Sequence, residues 1–414
     1  MVLTSPRGIR LGIGIFGRRN VGKSSLLNAI TRQSVSIVSN QAGTTTDPVE
    51  KPMELLPLGP VLFIDTAGID DEGALGELRI RKTRTILDRV DLGIIVFDGE
   101  SFGGFEIGLF EELKSRNVPA IFVFNKTDQG EPSQTAIEFA KANSTELILT
   151  SATSGRGVPE LRQAILDSAP DDFVNNPSIA GDLVGPGGVA VLVVPIDKEA
   201  PKGRIILPQV QTIRDLLDHN AVAVVAKEGE LKQTLERFTT KPDIVITDSQ
   251  AFLKVTADTP DDVPMTSFSI LFSRHKGDLL TQVQGALAVD RLKGGDRVLI
   301  AEACSHHPID EDIGTVKIPK WLTKYVGANL EFKNTQGHDF PEDLSPYKLV
   351  ILCGGCMFGR RETLNRILHC KRQNVPVTNY GLTIAFSLGI FERALRPFPS
   401  AHQMYTEYLE NKSR

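Results

Sequence analysis

The sequence predicts an α/β fold of three successive domains, the first built on a mostly parallel sheet flanked by helices and the other two also α/β. Two observations predict this. Short apolar runs recur along the chain, and amphipathic helical patterns lie between them, which is the alternation of a parallel sheet with crossover helices. The length, 414 residues, allows two to four domains at about 150 residues each. Composition agrees with a globular chain, at 41% hydrophobic and 23% charged residues with 36 Gly and 24 Pro, and it excludes collagenous, mucin-like and largely disordered classes.

The elements follow in order. Residues 9–16 read as a strand, followed by a glycine-rich turn and a helical pattern over Ser24–Ile30. Further strands are predicted at Val61–Ile64, Leu92–Phe97, Ala120–Phe124 and Glu146–Leu149, with helices over Leu78–Leu87 and Phe105–Lys114 between them. Around 171–188 the composition turns to Asp-Asp, Asn-Asn-Pro and Gly-Pro-Gly-Gly, a boundary pattern. A second α/β segment has strands at Val189–Val194, Ala221–Ala226 and Ile244–Thr247, with a helix over Val210–Leu217. Residues 258–266, rich in Asp, Pro and Thr, read as a second linker. A third segment begins with a helix over Asp278–Leu292 and has strands at Arg297–Ala301, Leu349–Leu352 and Val375–Asn379. The expected domains are 1–172, 180–265 and 266–414.

No run of apolar residues is long enough to span a membrane, and no secretory signal is evident near Met1, so a cytoplasmic protein is expected. Lys and Arg total 46 against 51 Asp and Glu, a net charge of −5, which gives no support to broad nucleic-acid binding.

Gly17-Arg18-Arg19-Asn20-Val21-Gly22-Lys23-Ser24 matches the phosphate-binding pattern G-x-x-x-x-G-K-S/T, after a strand and before a helix. The glycines let the backbone wrap phosphates, and the helix N-terminus faces the anion. Lys23 would reach the β- and γ-phosphates, and Ser24, followed by Ser25, would supply the Mg²⁺ hydroxyl. Asp65-Thr66-Ala67-Gly68 ends the next strand: Asp65 is placed to hold Mg²⁺ and Gly68 to offer an N–H to the γ-phosphate. Asn125-Lys126-Thr127-Asp128 ends another. The Asp128 carboxylate can accept both guanine N1–H and the 2-amino group, a donor pair adenine lacks, so GTP and GDP are the expected ligands. Ser151 and Ala152 follow the next strand and can offer a backbone N–H to the base. All these loops lie beyond the carboxyl ends of strands, where open α/β sheets bind ligands.

With these four elements in order, residues 9–168 resemble the P-loop GTPases, doubly wound, of the group that includes tRNA-modification and ribosome-assembly GTPases. Gly43-Thr44-Thr45-Thr46-Asp47 resembles that group's switch I, which makes Thr45 the Mg²⁺-contacting threonine. The residue after Gly68 is Ile69, where Ras-type enzymes use Gln to orient water; slow intrinsic hydrolysis is expected. Asn20 resembles the P-loop Asn that in related GTPases helps hold K⁺, so K⁺ stimulation is expected.

All four cysteines lie in the last quarter of the chain. Cys304-Ser305-His306 follows one predicted strand and Cys353-Gly354-Gly355-Cys356 another. Thiolates two residues apart can grip one metal site, and soft thiolates favour zinc or iron–sulfur clusters. Residue types and spacing leave three readings: cysteines without metal, a closed zinc site of three Cys with His306, or an iron–sulfur cluster. Cys370, in a predicted helix over Glu362–Arg372, reads as a buried small residue, and Arg360 and Arg361 read either as charge balance near the thiolates or as a solvated helix start.

A GTPase followed by C-x-H and then C-x-x-C resembles the hydrogenase-maturation GTPases, the HydF family of the [FeFe]-hydrogenase system, over the whole chain. The resemblance implies a GTP-binding domain, a central dimerisation domain forming a homodimer, and a C-terminal domain holding a [4Fe-4S] cluster on Cys304, Cys353 and Cys356. It further implies a scaffold that receives a two-iron subcluster precursor from radical-SAM maturation proteins and delivers it to apo-hydrogenase. Leu352 stands where many members carry His, which leaves the fourth iron to His306, a water or a carboxylate. The rival reading is an RNA-associated GTPase with a structural zinc site.

Overall fold

The computed structural model describes residues 10–31, 49–56, 58–65, 86–99, 101–170, 177–196, 205–303 and 312–413. The chain divides into two compact units, Met1–Asn176 and Pro177–Arg414. Thr45 and Gly68, Cys304 and His306, and most of the helix predicted over Leu78–Leu87 lie outside the described residues.

The first unit is built on a six-stranded sheet of order β2-β3-β1-β4-β5-β6. Its strands are β1 (Leu11–Phe16), β2 (Val49–Leu55), β3 (Gly59–Asp65), β4 (Leu92–Phe97), β5 (Ala120–Phe124) and β6 (Leu147–Leu149). All neighbours run parallel except β2 with β3. Strand β1, Leu-Gly-Ile-Gly-Ile-Phe, is buried throughout, as a strand covered on both faces must be. Its side chains alternate between two cores. Leu11, Ile13 and Ile15 pack with α1 (Lys23–Thr31) and α4 (Val158–Asp167). Phe16, Ile64, Phe97, Phe122 and Phe124 pack with α2 (Gly104–Ser115) and α3 (Gln134–Ala142). Strand β2 was not predicted. Its sequence, Val-Glu-Lys-Pro-Met-Glu-Leu, carries charges and Pro52, which a strand tolerates at a sheet edge, and β2 is the edge.

The second unit carries two four-stranded parallel sheets. The first has order β10-β9-β7-β8, from β7 (Val189–Val193), β8 (Val222–Ala226), β9 (Ile244–Thr247) and β10 (Met265–Ser267). The second has order β12-β11-β13-β14, from β11 (Arg297–Glu302), β12 (Glu331–Gln336), β13 (Leu349–Leu352) and β14 (Val377–Asn379). Strand β12, mostly polar, is again an unpredicted edge strand.

One continuous core joins the two sheets. It contains Val191, Ile246 and Met265 from one sheet and Val298, Ile300, Leu349 and Ile351 from the other. It also takes in α7 (Phe268–Lys276), α8 (Leu279–Leu287) and α10 (Tyr380–Ser387). Helix α10 is buried from Tyr380 to Phe386, apolar on nearly every side because core surrounds it.

The linker predicted over 258–266 is corrected by this sheet. Met265 pairs with Val245 and Ser267 with Thr247, and all of β10 is buried. The Asp- and Pro-rich residues before it form a short connection from α6 (Phe252–Asp258) into that strand. Arg393 pins the connection by donating to the carbonyls of Thr256 at 2.9 Å, Thr259 at 2.6 Å and Pro260 at 2.8 Å. Turn chemistry and linker chemistry share the same residues, so composition could not separate them.

Candidate functional site

The first cluster of predicted residues gathers at the carboxyl ends of β1, β3 and β5 and in the loop after β6. Two glycines shape the loop between β1 and α1. Gly17 sits at φ +145°, and a Cβ there would meet the Val96 carbonyl oxygen at 2.2 Å; Gly22 sits at φ +92°, with Asn125 Nδ2 at 2.3 Å from a Cβ. Asn20 also adopts a left-handed conformation, at φ 66°, which Asn tolerates better than most residues. Lys23 is buried, and its Nζ donates to the carbonyls of Gly17 and Arg18, each at 2.7 Å. The ammonium thus lies against the loop that the sequence pattern assigns to phosphate. Arg18 is tethered from outside, its Nε donating at 3.0 Å to Glu106, a fully buried carboxylate on α2.

Ser24 Oγ donates to Asp65 Oδ2 at 2.9 Å, which brings the two predicted Mg²⁺ groups together. Burial pushes the Asp65 carboxyl upward, against the pull of Ser24 and Lys23. A hydroxyl beside a carboxylate is the hard-oxygen set a hydrated Mg²⁺ takes. Ser25, the next helical residue, is exposed.

Asn125 ties three loops together. Its Nδ2 donates to the Val21 carbonyl at 2.9 Å, and its Oδ1 accepts the Ala152 N–H at 3.2 Å and the Thr150 hydroxyl at 3.2 Å. Asp128 is exposed, and its Oδ1 accepts the Ser151 hydroxyl at 2.7 Å; that bond, with a backbone one, holds the carboxyl below its usual range. It is ionised at neutral pH, as a double acceptor must be. Lys126 stands at φ 64° and pairs with Asp98 at 2.8 Å.

The second cluster lies in the Pro177–Arg414 unit. Strands β11 and β13 are parallel neighbours, so the loops that follow them start side by side. The Cys353 N–H donates to the Ala301 carbonyl at 3.0 Å, and the Ala303 N–H donates to Cys353 Sγ at 3.0 Å. The next residue after Ala303 is Cys304. Gly355 also directs its N–H toward Cys353 Sγ, at 3.5 Å. N–H groups aimed at a sulfur favour the thiolate. Burial opposes them and pushes the Cys353 thiol up to about 11, and it raises Cys356 as well. A soft cation bound there would supply the missing stabilisation of the thiolates. The donor set fits such a group, although among the described residues no three side chains of metal-binding type converge.

Two buried cations flank this loop. Lys276, the last residue of α7, is 2% exposed, and its Nζ donates to the carbonyls of Gly355 at 3.1 Å and Phe358 at 2.9 Å. Arg366, on α9 (Arg360–Arg372), is buried between Phe358 and Phe340, at 4.3 Å and 4.9 Å from their ring centres. Arg360, at the start of α9, donates to the His275 carbonyl at 3.0 Å. Lys276 was missed because a basic residue ending a helix before Gly277 looks like an ordinary C-terminus. Cys370 is fully buried among Leu299, Val350 and Ile367, as expected of a packing residue.

Comparison with known proteins gives three family matches. The 50S ribosome-binding GTPase family matches residues 12–126, the hydrogen maturase F dimerization domain residues 179–277, and the hydrogen maturase F tetramerization domain residues 280–397. The first unit is therefore a GTPase domain. Among curated relatives, the tRNA modification GTPase MnmE of Desulfotalea psychrophila is 35% identical over 157 residues, 36% of this chain and 33% of that protein. MnmE of Bacillus anthracis is 33% identical over 200 residues, 44% of this chain and 43% of that protein. The chain thus spans well under half the length of these relatives. The G domain of the T. maritima FeoB iron transporter is 24% identical, covering 38% of this chain and 98% of that one, with a TM-score of 0.30. The sequence alone did not point to a match between the segment that carries the cysteines and a tetramerization domain. No helix among the described residues is long and apolar enough to cross a membrane.

Proposed function

We propose that this chain, which belongs to the hydrogen maturase F family, is a GTP-switched scaffold for [FeFe]-hydrogenase maturation. Cys304, Cys353 and Cys356 hold a [4Fe-4S] cluster, and the protein carries a two-iron subcluster precursor from radical-SAM maturation partners to apo-hydrogenase. One observation carries the cluster assignment. The Ala303 N–H donates to Cys353 Sγ at 3.0 Å, so the residue that precedes Cys304 in the sequence lies against the Cys353–Cys356 loop. When bound, the cluster supplies an electron-accepting iron site with one iron free of cysteine. The residues hold it by three sulfurs, and Gly355 lets the loop turn tightly at φ +61°. Free thiols suit the reducing cytoplasm, and the two oligomerisation segments suit a homodimer or larger assembly.

The GTPase domain times encounters. Lys23 binds the phosphates, Ser24 and Asp65 hold Mg²⁺, with Thr45 and the Gly68 N–H completing the γ-phosphate side, and Asp128 reads guanine. Ordering and release of the switch loops changes affinity for a partner, provided the two nucleotide states bind it differently. With Ile69 unable to orient water, turnover is slow, and K⁺ at Asn20 supplies charge to the transition state. Turnover in KCl is expected to exceed that in NaCl by about tenfold or more, the scale of a modest electrostatic contribution; equal rates remove the K⁺ site.

Metal and sulfide analysis of anaerobically purified protein, with EPR of the reduced form, tests the scaffold. Brown protein with iron and sulfide in equal amounts supports it. Colourless protein with stoichiometric zinc replaces it with an RNA-associated GTPase bearing a structural zinc.

A further inference from the structure

The buried Lys276 ammonium is the feature that the GTPase and the cysteines together leave unexplained. Two of its hydrogens go to the carbonyls of Gly355 and Phe358, which flank Cys356. Among the described residues no carboxylate lies within ion-pair distance of it, and its other neighbour is the Phe272 ring, whose centre is 5.5 Å from Nζ. Carbonyl bonds solvate an ammonium in part, but they leave a net charge in a water-poor site, which is costly unless an opposite charge sits nearby. A neutral residue of the same length would fill this space without that cost. The lysine is therefore matched to an anion, and the loop it binds carries two sulfurs, which hold negative charge when they ligate a metal. The next-door contact runs the same way: Arg360 reaches the His275 carbonyl at 3.0 Å, so residues 275–276 clasp the 355–360 segment by three bonds.

We infer that Lys276 is the built-in counter-charge of the thiolate site, a positioning residue that holds the Cys353–Cys356 loop in place and keeps one positive charge beside its sulfurs. The inference rests on the proposed cluster only for its second test. It also gives the segment matched as a dimerization domain, 179–277, a part in the cysteine site, because Lys276 lies within it.

The first test uses metal-free full-length protein. Lys276→Gln keeps a hydrogen-bond donor but removes the charge; Lys276→Arg keeps the charge. Alkylation of Cys353 and Cys356 by iodoacetamide at pH 7 is expected to slow about tenfold in Lys276→Gln and to recover most of its rate in Lys276→Arg, since the thiolate is the reacting species. If Lys276→Gln fails to fold by circular dichroism, Lys276→Met takes its place as the neutral filler. The second test follows the reconstituted iron–sulfur protein by EPR-monitored redox titration. Loss of the charge should disfavour reduction about tenfold, which is a midpoint lowered by roughly 59 mV for one electron. Unchanged alkylation and potential in the neutral variant overturn the inference, as does an arginine variant that behaves like the neutral one in both readouts. Protein that holds no iron yet shows the alkylation contrast removes the cluster reading and leaves the counter-charge standing.

Discussion

Lys23→Ala is expected to lower GTP turnover by about 10²–10³-fold, the range for loss of one preorganised charge or donor at a developing anion. Iron and sulfide content should not change. The side chain is buried at the P-loop, and its Nζ is already held at 2.7 Å from the carbonyls of Gly17 and Arg18, so its position is set by the loop itself. Removing it deletes two hydrogen bonds, a cost to folding of about 1 kcal/mol each. That is small against the loss of a full charge from the phosphate side. Lys23→Arg should not rescue turnover, because a planar guanidinium cannot occupy a site fitted to a compact ammonium. Single-turnover hydrolysis of GTP, with iron assayed on the same samples, measures both halves. Iron lost together with turnover would show that the nucleotide site and the cysteine site are not separable.

The two sites differ in how far sequence could reach them. The loops of the proposed nucleotide site were readable by pattern, because Lys23, Asp65, Asn125, Asp128 and Ser151 all follow apolar runs, and the structure brings these residues to the carboxyl ends of one sheet. What sequence did not give was their wiring, in which Asn125 spans from the Val21 carbonyl to the Ala152 N–H. Strands β2 and β12 were missed for one reason. Both lie at a sheet edge and carry charges, proline or mostly polar residues, so their pattern fades. The stretch 258–266 misled for the opposite reason, since a pinned connection and a free linker use the same residues. At the cysteine site the sulfurs were visible and their surroundings were not. Lys276 lies 77 positions before Cys353, and only the packing of α7 against the loop brings it there. Long-range pairing of one buried charge leaves no local trace.

Cys353→Ser is expected to abolish the cluster while leaving GTP turnover within a factor of about two, the size of effect usual for a change in a separate compact unit. Cys353 is the sulfur on which the site is organised: it receives the Ala303 N–H at 3.0 Å and a second N–H from Gly355 at 3.5 Å. A serine hydroxyl can accept those same N–H groups, so the loop keeps its path and folding is little disturbed. It is nonetheless a hard donor that stays protonated where a thiolate binds iron. Loss of a direct ligand should exceed the roughly 10–100-fold penalty for losing an outer partner, which leaves almost no iron or sulfide after anaerobic reconstitution. Cys370→Ala provides the contrast. That thiol is fully buried beside Ile367 and Val375, with burial pushing it to about 12, and its removal should cost packing only. If Cys370→Ala loses iron as Cys353→Ser does, the metal site has been drawn on the wrong cysteines. If Cys353→Ser keeps a full complement of iron and sulfide, the loop after β13 is not a ligand loop, and the charge held beneath it by Lys276 must answer to some other anion.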